Sequence, residues 1–178
     1  MIMKILFTFC LFISLTTPIF AKYQRADWEH WTDEDQNCLN TRAELLKSRS
    51  KTQVKMRKKG CTVDRGAWED FYTGRMHTVA SFVEIDHIVP IYEAYKTGGK
   101  DWPSSKKKQF ANDLENLAIT SKKLNRSKSA KIITQFKAAN AELNKRYICT
   151  YFKIKTKYSL KLSDKEMGLI KAQNCPSN

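Results

Sequence analysis

Past its first 21 residues the 178-residue chain has no apolar run long enough to cross a bilayer, which excludes a membrane-spanning helix from the processed protein. No two cysteines are spaced as a C-x-x-C knuckle, and this argues against the rival reading of a four-cysteine zinc site. Internal repeats and low-complexity tracts are missing too, so one ordinary core is expected. Acidic residues are scarce: 18 Asp and Glu stand against 32 Lys and Arg, for a formal net charge of +14. Such a surplus, spread through every segment of a small protein, predicts attraction to polyanions. Nucleic acid, anionic lipid and acidic glycan all fit, and composition does not choose among them.

The N-terminus is the one strongly apolar stretch. Residues 1–21 carry a single charge, Lys4, then an apolar run from Ile5 to Leu15 and a short segment ending at Ala21. This pattern predicts a secretory signal peptide at 1–21, with an uncleaved anchor as the alternative. Cleavage leaves residues 22–178 as a single domain, monomeric and either periplasmic or secreted, with a net charge of +13. Cys10 departs with the signal. Cys38, Cys61, Cys149 and Cys175 remain, an even number suited to an oxidising compartment. Three pairings are possible. Spacing favours Cys38 with Cys61 and Cys149 with Cys175, each closing a loop of roughly 25 residues and contributing about 3 kcal/mol by restricting the unfolded chain.

The pattern of apolar residues predicts an α+β domain. An arm from Lys22 to Trp31 precedes a helix capped at Thr32, with Asp33, Glu34 and Asp35 in its first turn, running to Lys47 with Cys38 facing inward. Val54 and Met56 alternate with basic residues in a short strand, and Thr62 to Tyr72 form an aromatic-rich strand between turns. Val79 to Val89 is the strongest strand candidate, ended by Pro90. A helix over Ser105 to Leu114, a strand at Leu117 to Ile119, and a helix from Lys122 capped by Thr120 or Ser121 follow. The remainder reads as helix from about Ile132 to Lys157, irregular before Ala141, with Tyr147, Tyr151, Phe152, Ile154 and Tyr158 as core. Ser163-Asp164-Lys165-Glu166 is a capping box that opens a last helix.

Chemistry concentrates at Glu84-Ile85-Asp86-His87-Ile88-Val89-Pro90. Cleaving a phosphodiester requires a base for water, a cation for the developing charge and a grip on the phosphate. His87 has the side chain that titrates near neutrality. Asp86 and the amide oxygen of Asn125 are hard oxygen ligands for an ion such as Mg²⁺, which keeps several waters and accepts a phosphate oxygen. Side chains alternate along a strand, so Asp86 and His87 share one site only at a strand end or bulge. Asn125 and Lys128, three apart, share one helix face. Glu84 is an outer or alternative ligand, and His30 and His77 read as surface or packing residues.

Asp86-His87-Ile88-Val89-Pro90, Asn116-Leu117-Ala118-Ile119 and Asn125-Arg126-Ser127-Lys128, with Asn116 nine residues before Asn125 and twelve before Lys128, resemble the HNH endonucleases. Further matches, including Tyr72-Thr73-Gly74, Phe110-Ala111-Asn112-Asp113-Leu114 and the tail from Cys149 to Cys175, resemble a secreted branch of that family. It is related to the C-terminal nuclease domain of a restriction enzyme acting on modified DNA. The resemblance implies a ββα-metal motif with additional helices. In it His87 is the general base, Asp86 and Asn125 hold the divalent ion, and Asn116 holds the loop that carries His87. The ion is Mg²⁺ first, with Mn²⁺ or Ca²⁺ as substitutes. Lys128, Arg126 and Arg75 are implied phosphate contacts, and DNA is favoured over RNA as partner. Ser121 and Leu124 stand where many members have zinc-knuckle cysteines, so disulfides are expected to brace the motif instead. A cationic protein that coats nucleic acid without cutting, and a nuclease toxin with an immunity partner, are the competing functions.

Overall fold

The computed structural model describes residues 22–176, and the inferred signal peptide at 1–21 lies outside them. Its centre is a ribbon of two strands. The helices and strands run α1 (Thr41–Ser48), β1 (Lys55–Met56), β2 (Val63–Glu69), β3 (Met76–Val79), β4 (Val83–His87), α2 (Ile91–Ala94), α3 (Ser104–Asn112), β5 (Leu117–Ser121), α4 (Lys122–Lys128), α5 (Ala141–Lys157) and α6 (Asp164–Ala172). Strands β1, β2 and β3 form one antiparallel sheet in that order; β4 and β5 form the separate ribbon. In the ribbon Val83 faces Ser121 and His87 faces Leu117. Strand β5 leads directly into α4, so β4, β5 and α4 make a ββα unit inside an α+β domain.

Alternation along the ribbon divides the interior into two cores. Val83 and Ile85 of β4, with Leu117 and Ile119 of β5, pack with Leu45, Leu46, Val63 and Trp68. Trp68 closes that side by donating its indole N–H to the Leu46 carbonyl at 2.7 Å. Gly66 is dictated by the same ring, since a Cβ there would come within 2.5 Å of the Trp68 side chain. Ala118 points to the other side, where Tyr72, Phe110, Tyr147, Tyr151, Ile154 and Tyr158 gather. Buried on both faces, β5 reads as the continuous apolar run expected of such a strand.

The charged groups inside the larger core are paired, while the Tyr147 hydroxyl is buried without a hydrogen-bond partner. Lys155 is completely buried, and its ammonium meets Glu93 at 2.8 Å, Glu166 at 3.0 Å and the Lys161 carbonyl at 2.8 Å. One cation therefore ties α2, α5 and α6 together. Glu166 also completes the expected capping box with Ser163.

Two sequence expectations are corrected. No helix begins at Thr32: the carboxylate of Asp33 accepts the backbone N–H groups of Asn37 and Cys38, folding a loop, and Trp31, Gln36 and Cys38 have positive φ. Helix α1 starts later, capped by Asn40 on the N–H of Ala43, and Cys38 is exposed rather than inward. The run from Val79 to Val89 is not one strand either. A 3-10 turn at Ala80–Phe82 breaks it, so Val79 ends β3 in one sheet while Val83–His87 forms β4 in the other. Both expected disulfides are present, Cys38–Cys61 and Cys149–Cys175.

The second bond spans 26 residues and joins α5 to the end of α6. Replacing Cys149 and Cys175 together by serine is expected to lower unfolding free energy by about 3 kcal/mol, measured by urea titration of the oxidised protein.

Candidate active site

Strand β4 sorts its side chains by alternation. Glu84 and Asp86 face α4, where Glu84 accepts a hydrogen bond from the Asn125 amide nitrogen at 2.9 Å and Asp86 pairs with Lys128 at 2.8 Å. His87 lies on the opposite side, its ring centroid 6.0 Å from that of Trp31. The strand ends at His87, however, and a cavity of about 410 Å³ wraps around that end. Asp86, His87 and Asn125 all line it, with Arg25 and Tyr92 further along the wall. Both residues border one cavity although their side chains leave the strand on opposite faces.

The loop after His87 hangs on Asn116, which is fully buried at the start of β5. Its carbonyl accepts the N–H of Ile88 at 2.8 Å, its side-chain oxygen accepts the N–H of Val89 at 2.8 Å, and its amide nitrogen donates to the Val89 carbonyl at 3.2 Å. A segment with no ladder partner is thereby satisfied by the backbone and side chain of one residue.

His87 Nε2 lies 2.9 Å from the Ala111 carbonyl. A carbonyl only accepts, so Nε2 carries the proton and Nδ1 keeps the lone pair. Burial pushes the imidazole pKa down to about 3; the Ala111 carbonyl opposes this, and the charge of Arg25 reinforces it. The ring is therefore neutral at physiological pH, and burial disfavours its protonated form.

Asp86 is nearly as buried. Its Oδ2 accepts from the Tyr72 hydroxyl at 2.5 Å and from the Lys128 ammonium, which also donates to the His87 carbonyl at 3.1 Å. Burial raises the carboxyl pKa, while Lys128 and Tyr72 pull it back. The His87 backbone N–H is a further donor to the same carboxylate. Asn125 has its amide nitrogen held by Glu84. Among the described residues no group of three or more His, Cys, Asp or Glu side chains is placed to hold an ion. Asp86 and Asn125 are oxygen donors on the cavity, the donor type that a hard divalent cation takes.

The implied phosphate contacts are placed differently. Lys128 has 0% exposure and serves as the countercharge of Asp86, so its expected surface role is corrected. Arg126 and Arg75 are exposed, and neither lines the cavity. Three residues at the site had no such role in the sequence. Tyr72 meets Asp86 from 14 positions away, a separation with no local signal. Asp70 ties the turn after β2 to the end of β5, accepting the Thr120 hydroxyl and the Ser121 N–H, each at 2.9 Å. Arg25 lay in an arm without periodicity.

Residues 35–167 match the family of C-terminal domains of the GmrSD restriction endonucleases. A protein of Arthroderma benhamiae described as an uncharacterized secreted protein is 33% identical over 155 residues, which span 83% of this chain and 72% of the relative.

Removing one member of the buried pair strands the other. Lys128→Met is expected to destabilise the protein by about 3 kcal/mol or more, and Asp86→Asn in the same chain to recover part of that loss, as read from a double-mutant cycle of urea midpoints. Asn116→Ala leaves the Val89 N–H and C=O without partners and is expected to cost about 2 kcal/mol or more, measured in the same way.

Proposed function

Since the chain belongs to the family of GmrSD restriction endonuclease C-terminal domains, we propose that it is a secreted HNH-type endonuclease that hydrolyses nucleic acid with one divalent ion, Mg²⁺ first. The observation that carries this reading is the meeting of Asp86, His87 and Asn125 on one cavity at the end of β4. DNA is the proposed substrate because the family is described as restriction endonucleases. Secretion rests on the description of the relative and on the apolar N-terminus; no helix among the described residues is long and apolar enough to cross a membrane.

In this reading Nδ1 of His87 takes the proton of a water as its oxygen attacks phosphorus. The donor bond from Nε2 to Ala111 fixes the tautomer and stabilises the ring as it becomes cationic. Asp86 and the amide oxygen of Asn125 would hold the ion, which would supply Lewis-acid stabilisation of the charge building on phosphate and leaving oxygens. Lys128 keeps Asp86 ionised in a buried setting where a lone carboxyl would favour its neutral form. Asn116 acts at one remove, by fixing the direction in which His87 leaves the strand.

The test is degradation of plasmid DNA by the processed protein. His87→Ala is expected to lower the rate by about 10²-fold or more with folding intact by circular dichroism. Excess chelator is expected to abolish cutting, and added Mg²⁺ or Mn²⁺ to restore it. Full activity in either condition rules the mechanism out.

A further inference from the structure

The cavity reaches beyond the Asp86, His87 and Asn125 cluster to an arm that the family match, starting at residue 35, does not include. This arm is built into the fold. Trp28 is 1% exposed and packs against Trp102 and Phe110 at centroid distances of 5.7 and 5.6 Å. Gly99 is required beneath it, since a Cβ there would come within 2.8 Å of the Trp28 ring. The Glu29 carbonyl accepts the Asn112 amide at 2.8 Å. Ahead of Trp28, Tyr23 packs edge-on against Tyr92 at 5.1 Å and Tyr95 at 5.2 Å. Between these two anchors a single 3-10 turn, Arg25–Asp27, sets Arg25 at the cavity.

Arg25 is the one lysine or arginine whose side chain is among the lining residues, and among the described residues no carboxylate pairs with it. Lys128, the other cation close by, is spent on Asp86. A cavity that receives a polyanion needs a charge to set against it, and a guanidinium offers a planar fork of donors matched to phosphate oxygens. Tyr92, 43% exposed on the same wall, adds an aromatic surface of the kind on which sugars and bases rest.

We propose that Arg25 binds a phosphate of the nucleic-acid strand flanking the bond that is cut, with Tyr92 walling the intervening nucleotide. The proposal rests on the nuclease reading above. It makes the arm, not the matched domain alone, a determinant of how substrate is held.

The test uses full-length processed protein carrying His87→Ala, which binds a fluorescent single-stranded oligonucleotide without consuming it, in Mg²⁺ over a range of salt. Adding Arg25→Ala is expected to weaken binding about tenfold and to make the slope of log affinity against log salt shallower by about one. Arg25→Lys is expected to keep the slope and lose part of the affinity. Lys165→Ala, on the exposed start of α6, is the control for a general loss of surface charge. In the protein that retains His87, Arg25→Ala is expected to raise KM more than it lowers kcat. If the wild type cuts plasmid while Arg25→Ala and Lys165→Ala bind alike, the role of Arg25 is overturned and the nuclease reading stands. If the wild type cuts nothing under any divalent ion, both fall.

Discussion

One buried ammonium sets the geometry of the site. Lys128, the last residue of α4, reaches back to Asp86 and to the carbonyl of His87 at the end of β4. Two opposite charges taken out of water are stable only when the remaining donors and acceptors are also satisfied. Here Tyr72 supplies the second donor to the same carboxylate oxygen. Fixing the end of α4 to the end of β4 leaves little freedom in the helix between, so Asn125, one turn earlier on the same face, is brought beside the cavity with Asp86. Ser129 then leaves the helix at positive φ, its N–H returning to the Asn125 carbonyl at 2.8 Å. The helix is short because its work is done within two turns.

The loop between the two functional strands is governed by a different economy of hydrogen bonds. Asn116 pairs with both the N–H and the carbonyl of Val89 as a strand neighbour would, just where the ladder between β4 and β5 has run out. Asp70 does the same at the opposite end of β5, where the Ser121 N–H needs an acceptor. A polar side chain at each end lets a ribbon of five residues per strand stand without a third strand at its side.

Much of the motif was legible because its logic is local. Pro90 after an apolar run marked a strand end, Ser121 capped α4 as expected by accepting the Leu124 N–H, and the spacing of Asn116, Asn125 and Lys128 resembled a known family. Errors arose where a local signal had two uses. The acids after Thr32 suit a helix start, yet Asp33 turned its carboxylate to the loop N–H groups instead. An apolar run from Val79 to Val89 gives no sign that Ala80–Phe82 breaks it, because the break is made by two sheets competing for the chain. Lys128 shows the deepest limit. A lysine in a basic segment looks solvated, and only the tertiary placement of Asp86 and Tyr72 turns it into a core residue.

The two disulfides serve different cores. Cys38–Cys61 ties the entry of α1 to the entry of β2 on one side of the ribbon, and Cys149–Cys175 ties α5 to the tail after α6 on the other. None of the four sulfurs lines the cavity. The cystine bonds and the cavity are thus physically partitioned. Oxidation state bears on the two flanks, while the ribbon between them is held by an ion pair and an asparagine that are indifferent to it.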